Sequence, residues 1–246
     1  NVTVGYRTLY QVGVGSSNVA VGDSAGYQML SGSSNVYVGY SAGHWATGSN
    51  NAFMGYEAGR GGNTSAPFNS GQNNTALGYQ SLKGFTTGNN NTALGYKAAT
   101  ALTSGFNNVA IGVDAGVTMA DVDNTVLIGA TAGAAINSSD ADGTVAIGYQ
   151  AGTDITSAQR STLLGDQAGT NITTANDNTA IGYNAMHGSD STAGTGTGRN
   201  TAIGSSALAS ITTGQQNVAI GTSAGSTLTT TSNTVLIGHN VGLSIN

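Results

Sequence analysis

Three Gly-x-Ser-x-Gly segments are the first residues to test for chemistry: Gly22-Asp-Ser-Ala-Gly26, Gly39-Tyr-Ser-Ala-Gly43 and Gly221-Thr-Ser-Ala-Gly225. In a hydrolase this pattern sets a nucleophilic serine on a strand-to-helix turn, beside a histidine and an acid. The three histidines, His44, His187 and His239, are too far apart in the chain for a triad or a metal set. Ser139-Asp140-Ala-Asp142-Gly143 looks like the opening of a calcium loop but lacks the later bidentate glutamate, and a polar turn is the plainer account. Asp and Glu are scattered, so no carboxylate pair for glycoside cleavage stands out. No catalytic residue, metal or cofactor is expected, and the chain reads as noncatalytic.

Aromatic residues are better candidates for binding. Tyr6, Tyr40, Tyr56, Tyr79, Tyr96, Tyr149 and Tyr183 share one repeat position. Rows of them would make either a platform for stacking sugars or a packing ladder. Trp45 is the sole tryptophan and follows His44. The stretch from Arg60 to Asn73 holds the only proline, Pro67, with Phe68. The candidate receptor contacts are therefore Trp45, Tyr40, Tyr56, Arg60, Pro67 and Phe68.

What must position these residues is a repeat. Asn-x-Ala-Ile-Gly recurs fourteen times, and its glycine falls at positions 5, 22, 39, 55, 78, 95, 112, 129, 148, 165, 182, 204, 221 and 238. Most steps between these glycines are identical, and the two longest lead from Gly55 to Gly78 and from Gly182 to Gly204. A period this short predicts an all-β parallel β-solenoid, or β-roll, of about fourteen rungs. Residues 1–246 read as one continuous array, a segment of a longer fibrous chain. Insertions in such arrays fall in loops, often on the binding face, which singles out the two longest repeats. The second of these, from His187 to Arg199, is rich in Gly, Ser and Thr and reads as a flexible linker.

Counting from the motif glycine as zero, position −1 is apolar in every copy, and −3 is Val, Thr or Ala. These two share one face of a strand and are expected to line the coil interior. Position −2 is Ala in eight copies and otherwise Leu, Thr3, Tyr37 or Phe53, so the opposite face is apolar as well. A strand apolar on both faces is expected to be covered on both, and a second chain is the simplest cover. Apolar side chains at position +7 predict a second short strand, and the frequent glycine at +4 a left-handed corner. Position −4 is Asn in ten rungs: Asn1, Asn18, Asn35, Asn51, Asn74, Asn91, Asn108, Asn178, Asn200 and Asn217. Stacked rungs would bring these amides into a ladder. At ~4.8 Å per rung the fourteen would span about 65 Å.

The segments Asn-Val-Ala-Ile-Gly (108–112, 217–221) and Asn-Thr-Ala-Ile-Gly (178–182, 200–204) resemble the repeats of trimeric autotransporter adhesin heads, and also bacteriophage tail-fibre repeats. The resemblance implies three chains, each a left-handed parallel β-roll, packed about one axis and attaching to a surface. The rung is longer here than in an adhesin head, which implies larger loops.

Composition narrows the function classes. Charged residues are 7%, the net charge is −5, and the six cations (Arg7, Arg60, Lys83, Lys97, Arg160, Arg199) are spread along the chain, so no nucleic-acid partner is expected. Cysteine is absent, and no apolar run approaches a membrane span. The expected function is an extracellular fibre segment, on a bacterial surface or a virion, that assembles as a homotrimer and contacts a host glycan or protein receptor. The alternatives are a structural spacer and an ice-binding solenoid, the latter needing a flat outward array of threonines.

Overall fold

A computed structural model describes residues 1–62, 69–188 and 198–243. The chain is all-β and wound as a parallel β-solenoid, with fourteen strands in chain order along one sheet. It divides into two units, Asn1–Asp123 and Asn124–Asn246. The first holds β1 (Val2–Val4), β2 (Val19–Val21), β3 (Val36–Val38), β4 (Ala52–Met54), β5 (Thr75–Leu77), β6 (Thr92–Leu94) and β7 (Val109–Ile111). The second holds β8 (Val126–Ile128), β9 (Val145–Ile147), β10 (Thr162–Leu164), β11 (Thr179–Ile181), β12 (Thr201–Ile203), β13 (Val218–Ile220) and β14 (Val235–Ile237). Within each unit every strand pairs in parallel with the next at identical motif register, as in Thr75↔Thr92 and Thr162↔Thr179.

Each rung has a single strand. The second strand expected around +7 is not formed among the described residues; only isolated parallel bridges stand outside the fourteen strands, Ala46 (a +7 residue) with Asn69 and Asn176 with Gly198. Positions +2 and +4 are left-handed, as at Ser24 (φ 57°) and Gly26 (φ 59°). The +7 side chains do point inward: Met29, Phe85, Leu102 and Met119 are fully buried. The motif glycine itself has a positive φ, +130° at Gly39, and a Cβ there would lie 2.5 Å from the Gly55 carbonyl oxygen of the next rung. Both the conformation and the close rung stacking require glycine.

The strand faces are reversed from the sequence expectation. Position −2 is the interior: Ala20, Tyr37, Phe53, Ala110, Leu127 and Leu163 are all completely buried. Positions −1 and −3 face outward and are half-buried or exposed, Leu77 at 45% and Leu164 at 43%. The reason is volume. The coil is narrow, and the −2 side chain shares its interior with the side chains at +3, +4 and +7. Wherever −2 is large, +4 is glycine: Tyr37 with Gly43, Phe53 with Gly59, Leu127 with Gly133, Leu163 with Gly169, Leu236 with Gly242. A Cβ at Gly43 would lie 2.7 Å from the Tyr37 ring, and one at Gly169 would lie 2.8 Å from Leu163 Cδ2. Wherever +4 is large, as at Leu9, Leu82, Met186 and Leu208, position −2 is Thr3, Ala76, Ala180 or Ala202. Branched side chains at −1 and −3 have no room inside and take the outer face.

The asparagine ladder forms, with more bonds than amide-to-amide pairing alone. In the first unit it runs unbroken from Asn1 to Asn108, buried beyond the first rung. The Asn91 backbone N–H donates to Asn74 Oδ1 (2.9 Å), and Asn91 Nδ2 donates both to that oxygen (3.1 Å) and to the Gly105 carbonyl (2.8 Å). Asn35 and Asn18 repeat the arrangement. Asn51 keeps the backbone bond to Asn35 Oδ1 and the amide bond to Gly71. Each amide thus satisfies a buried backbone donor in its own ladder and a turn carbonyl of the following rung. In the second unit Thr125, Thr144 and Ser161 occupy this position, the ladder resumes with Asn178, Asn200 and Asn217, and Thr234 follows in the last rung.

Candidate functional site

The serines of the Gly-x-Ser-x-Gly segments sit at +2, each in a left-handed turn (φ 57°, 52° and 55° at Ser24, Ser41 and Ser223). Among the described residues no helix follows any of them, so the nucleophile-elbow geometry is missing. The Ser24 hydroxyl donates to Asp23 Oδ1 at 2.7 Å, not to a histidine. Ser139–Ala141 is a single 3-10 turn capped by the Ser138 hydroxyl. Among the described residues no three His, Asp or Glu side chains converge on one point.

Tyr40, Tyr56, Tyr79 and Tyr96 stack face to face along four consecutive rungs, with centroids 5.1, 5.2 and 5.3 Å apart. Their exposures are 42–48%. Stacking consumes the ring faces, so the row is a packing ladder and offers no flat platform for a sugar between its ends. What it presents outward is ring edges and a comb of hydroxyls, one per rung. A second stack at +5 comprises Tyr10, Tyr27 and His44, with centroids 5.3 and 4.8 Å apart. Trp45 closes that stack edge-on against Tyr27 and His44 (6.4 and 4.4 Å).

Beyond His44 the +5 column changes character to Arg60, Lys83, Thr100 and Val117. These four line a groove of about 480 Å³, together with Gly61, Gly62, Gln80, Gly84 and Lys97. The groove exists because the +6 column loses its side chains at Gly61 and Gly84 where Trp45 stood one rung earlier. Trp45 flanks this end: a Cβ on Gly61 would lie 3.1 Å from the Trp45 Cβ.

Three of the six cations, Arg60, Lys83 and Lys97, meet in this groove, although each comes from a different repeat. Glu57 organises two of them. Its carboxylate pairs with Lys83 at 2.7 Å and Arg60 at 3.6 Å, and accepts from Gln80 Nε2 at 2.8 Å. Burial alone would raise the Glu57 pKa. The hydrogen bonds from Lys83 and Gln80 and the charges of Lys83 and Arg60 outweigh burial and hold it below the usual carboxylate value. Lys97 is in no ion pair among the described residues, and its Nζ lies 5.2 Å from the Tyr96 ring centroid. His44, half-buried beside the groove, has its pKa lowered by burial and then by the Arg60 charge. Three cations against Glu57, with Asp114 one rung beyond Lys97 in the +2 column, leave the groove positive in a chain of net charge −5.

The structure therefore brings Trp45, Tyr56 and Arg60 into one neighbourhood and places Tyr40 in the adjoining ladder. Pro67 and Phe68 lie outside the described residues. Sequence reasoning missed the cation cluster because it followed the chain and not the columns. Reading positions +2, +5 and +6 across rungs 4, 5 and 6 would have found it. Comparison with known protein families, curated proteins and solved structures finds no match to this chain.

Proposed function

We propose that this chain is a noncatalytic attachment segment of an extracellular fibre, on a bacterial surface or a virion, and that it functions as a homotrimer. The observation that carries the reading is the outward face of the strands. In the first unit it presents the −1 side chains of Met54, Leu77 and Leu94 on three consecutive rungs, each between 39% and 45% exposed, in a line set by the rung period. Single exposed aliphatics need no explanation, but a contiguous row of them does. A second and third copy of the same face match its period, which an unrelated partner would not. The adhesin-like repeat motif supports the same assembly. Trimerisation would give three copies of each surface site and hence avidity toward a receptor.

Light scattering on the 24.2 kDa chain tests the assembly, and binding to bacterial or host cell surfaces tests attachment. A monomer at all concentrations refutes the first, and binding no greater than that of an unrelated fibre refutes the second.

One observation favours the ice-binding alternative. Thr75, Thr92, Thr162, Thr179 and Thr201 at −3 lie on the outward face. Against it, no side chain at −1 carries a hydroxyl, so the face is mainly aliphatic and better suited to burial. Thermal hysteresis of a dilute solution decides between them.

A further inference from the structure

We propose that the groove lined by Arg60, Lys83, Lys97 and Gln80 binds an acidic glycan, one bearing carboxylate or sulfate groups. The proposal deepens the attachment reading and rests on it for the source of the glycan.

Concentration of charge is the first argument. Half of the chain's cations gather within three consecutive rungs, and one partly buried carboxylate fixes two of them. Glu57 holds Lys83 and Arg60 at one end, which reduces the ordering cost of binding. Lys97, without an acidic partner among the described residues, supplies the charge left for a ligand. A carboxylate or sulfate entering here gains charge-assisted hydrogen bonds.

Shape and lining are the second argument. A volume of about 480 Å³ falls within the range of small-ligand clefts. Gly61, Gly62 and Gly84 line it, and Val117 is the only aliphatic residue in its lining among the described residues. Among the described residues the lining offers one aliphatic side chain to anchor a peptide, and charged and amide side chains for an acidic sugar. A sugar wants hydroxyl and amide partners, which Gln80 and Thr100 in the lining provide. The groove runs across successive rungs, so a repeating oligosaccharide would meet successive side chains. None of its residues belongs to the −1 and −3 columns proposed as the trimer face.

The chain reports on this site by itself, because Trp45 is its only tryptophan and flanks Gly61. Tryptophan emission of the full chain is titrated with a galacturonate hexasaccharide, 3′-sialyllactose and a heparin hexasaccharide. The methyl-esterified galacturonate hexasaccharide and oligoglutamate serve as controls. At least one acidic glycan should change the emission saturably, with an affinity that falls as salt rises. Lys97→Gln should weaken it at least about fivefold, as losing one charge-assisted hydrogen bond would. Arg160→Gln, in the other unit, should leave it unchanged.

No response to any of the three glycans overturns the proposal. So does an ester that binds as well as the acid, an equal response to oligoglutamate, or an affinity indifferent to Lys97→Gln. Cell binding by the Lys97→Gln chain separates the two readings. If it is undiminished while no acidic glycan binds, attachment stands and this site falls; if the parent chain binds no cell surface, attachment falls whatever the glycans do.

Discussion

Exchanging the large and small residues of one rung tests what fills the coil. Rung 10 holds Leu163, Gly169 and Ile172, and rung 12 holds Ala202, Leu208 and Ile211 at the same positions. Leu163→Ala empties a completely buried site and should cost about 2–5 kcal/mol. Gly169→Leu carries two penalties. Its φ of +59° is a left-handed conformation, costing a residue with a Cβ about 1–2 kcal/mol. The added side chain also meets Leu163 Cδ2 and Ile172 Cδ1, which lie 2.8 and 2.9 Å from the Cβ position, at about 1–3 kcal/mol for overpacking. The double variant recreates the rung 12 set, in which Leu208 is accommodated at φ +49°. Only the backbone penalty of about 1–2 kcal/mol should remain. The coupling between the two sites is then the cavity and overpacking costs together, at least about 3 kcal/mol, at or above the upper end for residues in contact. Urea denaturation followed by circular dichroism measures the overall effect. Hydrogen exchange at the Thr162 amide, which donates to the Asn178 carbonyl at 2.8 Å, reports the rung itself. Single-variant costs that add to within about 0.5 kcal/mol would refute the shared-volume account.

Three further outcomes follow from the geometry. Asn91→Ala leaves the Asn108 backbone N–H and the Gly105 carbonyl without their side-chain partner, and should lower stability by about 2–5 kcal/mol in thermal melts. Asn91→Thr should cost less, since threonine already serves at position 144; equal losses would mean the ladder bonds contribute little. Leu77→Asp with Leu94→Asp should convert a trimer to monomer in light scattering while circular dichroism is unchanged, because these side chains are 45% and 39% exposed. His44 is held below its ordinary pKa in the fold, so the unfolded chain binds its proton first. Stability should therefore fall on acidification through about pH 6.5. His44→Gln should flatten that part of a pH–melting-temperature profile, and a His44→Gln profile parallel to the parent's would refute the assignment.

Much of this fold could be read from residue spacing. The recurring period, the left-handed glycine at +4, the asparagine ladder and the inward column at +7 all follow from what recurs along the chain. The direction of the strand could not be read from hydrophobicity, because both faces are apolar. Valine and isoleucine outrank alanine as hydrophobes, yet the alanine faces in. The information was present as a pairing of volumes, Tyr37 with Gly43 and Ala76 with Leu82, visible only when positions −2 and +4 are compared within a rung. Pattern by period asks which residues dislike water; a narrow coil asks first which residues fit together.

The same distinction separates the packing features from the candidate site. Tyr40 and Tyr56 stand out in sequence because they recur, and recurrence turns out to mean stacking on one another, with their faces used up. The groove arises where recurrence fails. At rung 4 the +5 column switches from aromatic to Arg60 and the +6 column from Trp45 to Gly61, and at rung 6 the +2 column becomes Lys97. A solenoid needs sameness to keep its backbone bonds in register, so a departure that gathers three cations in one groove, two of them on Glu57, contributes little to the fold. Stacked columns are where this protein is held together, and the broken columns beside them are where a ligand would meet it.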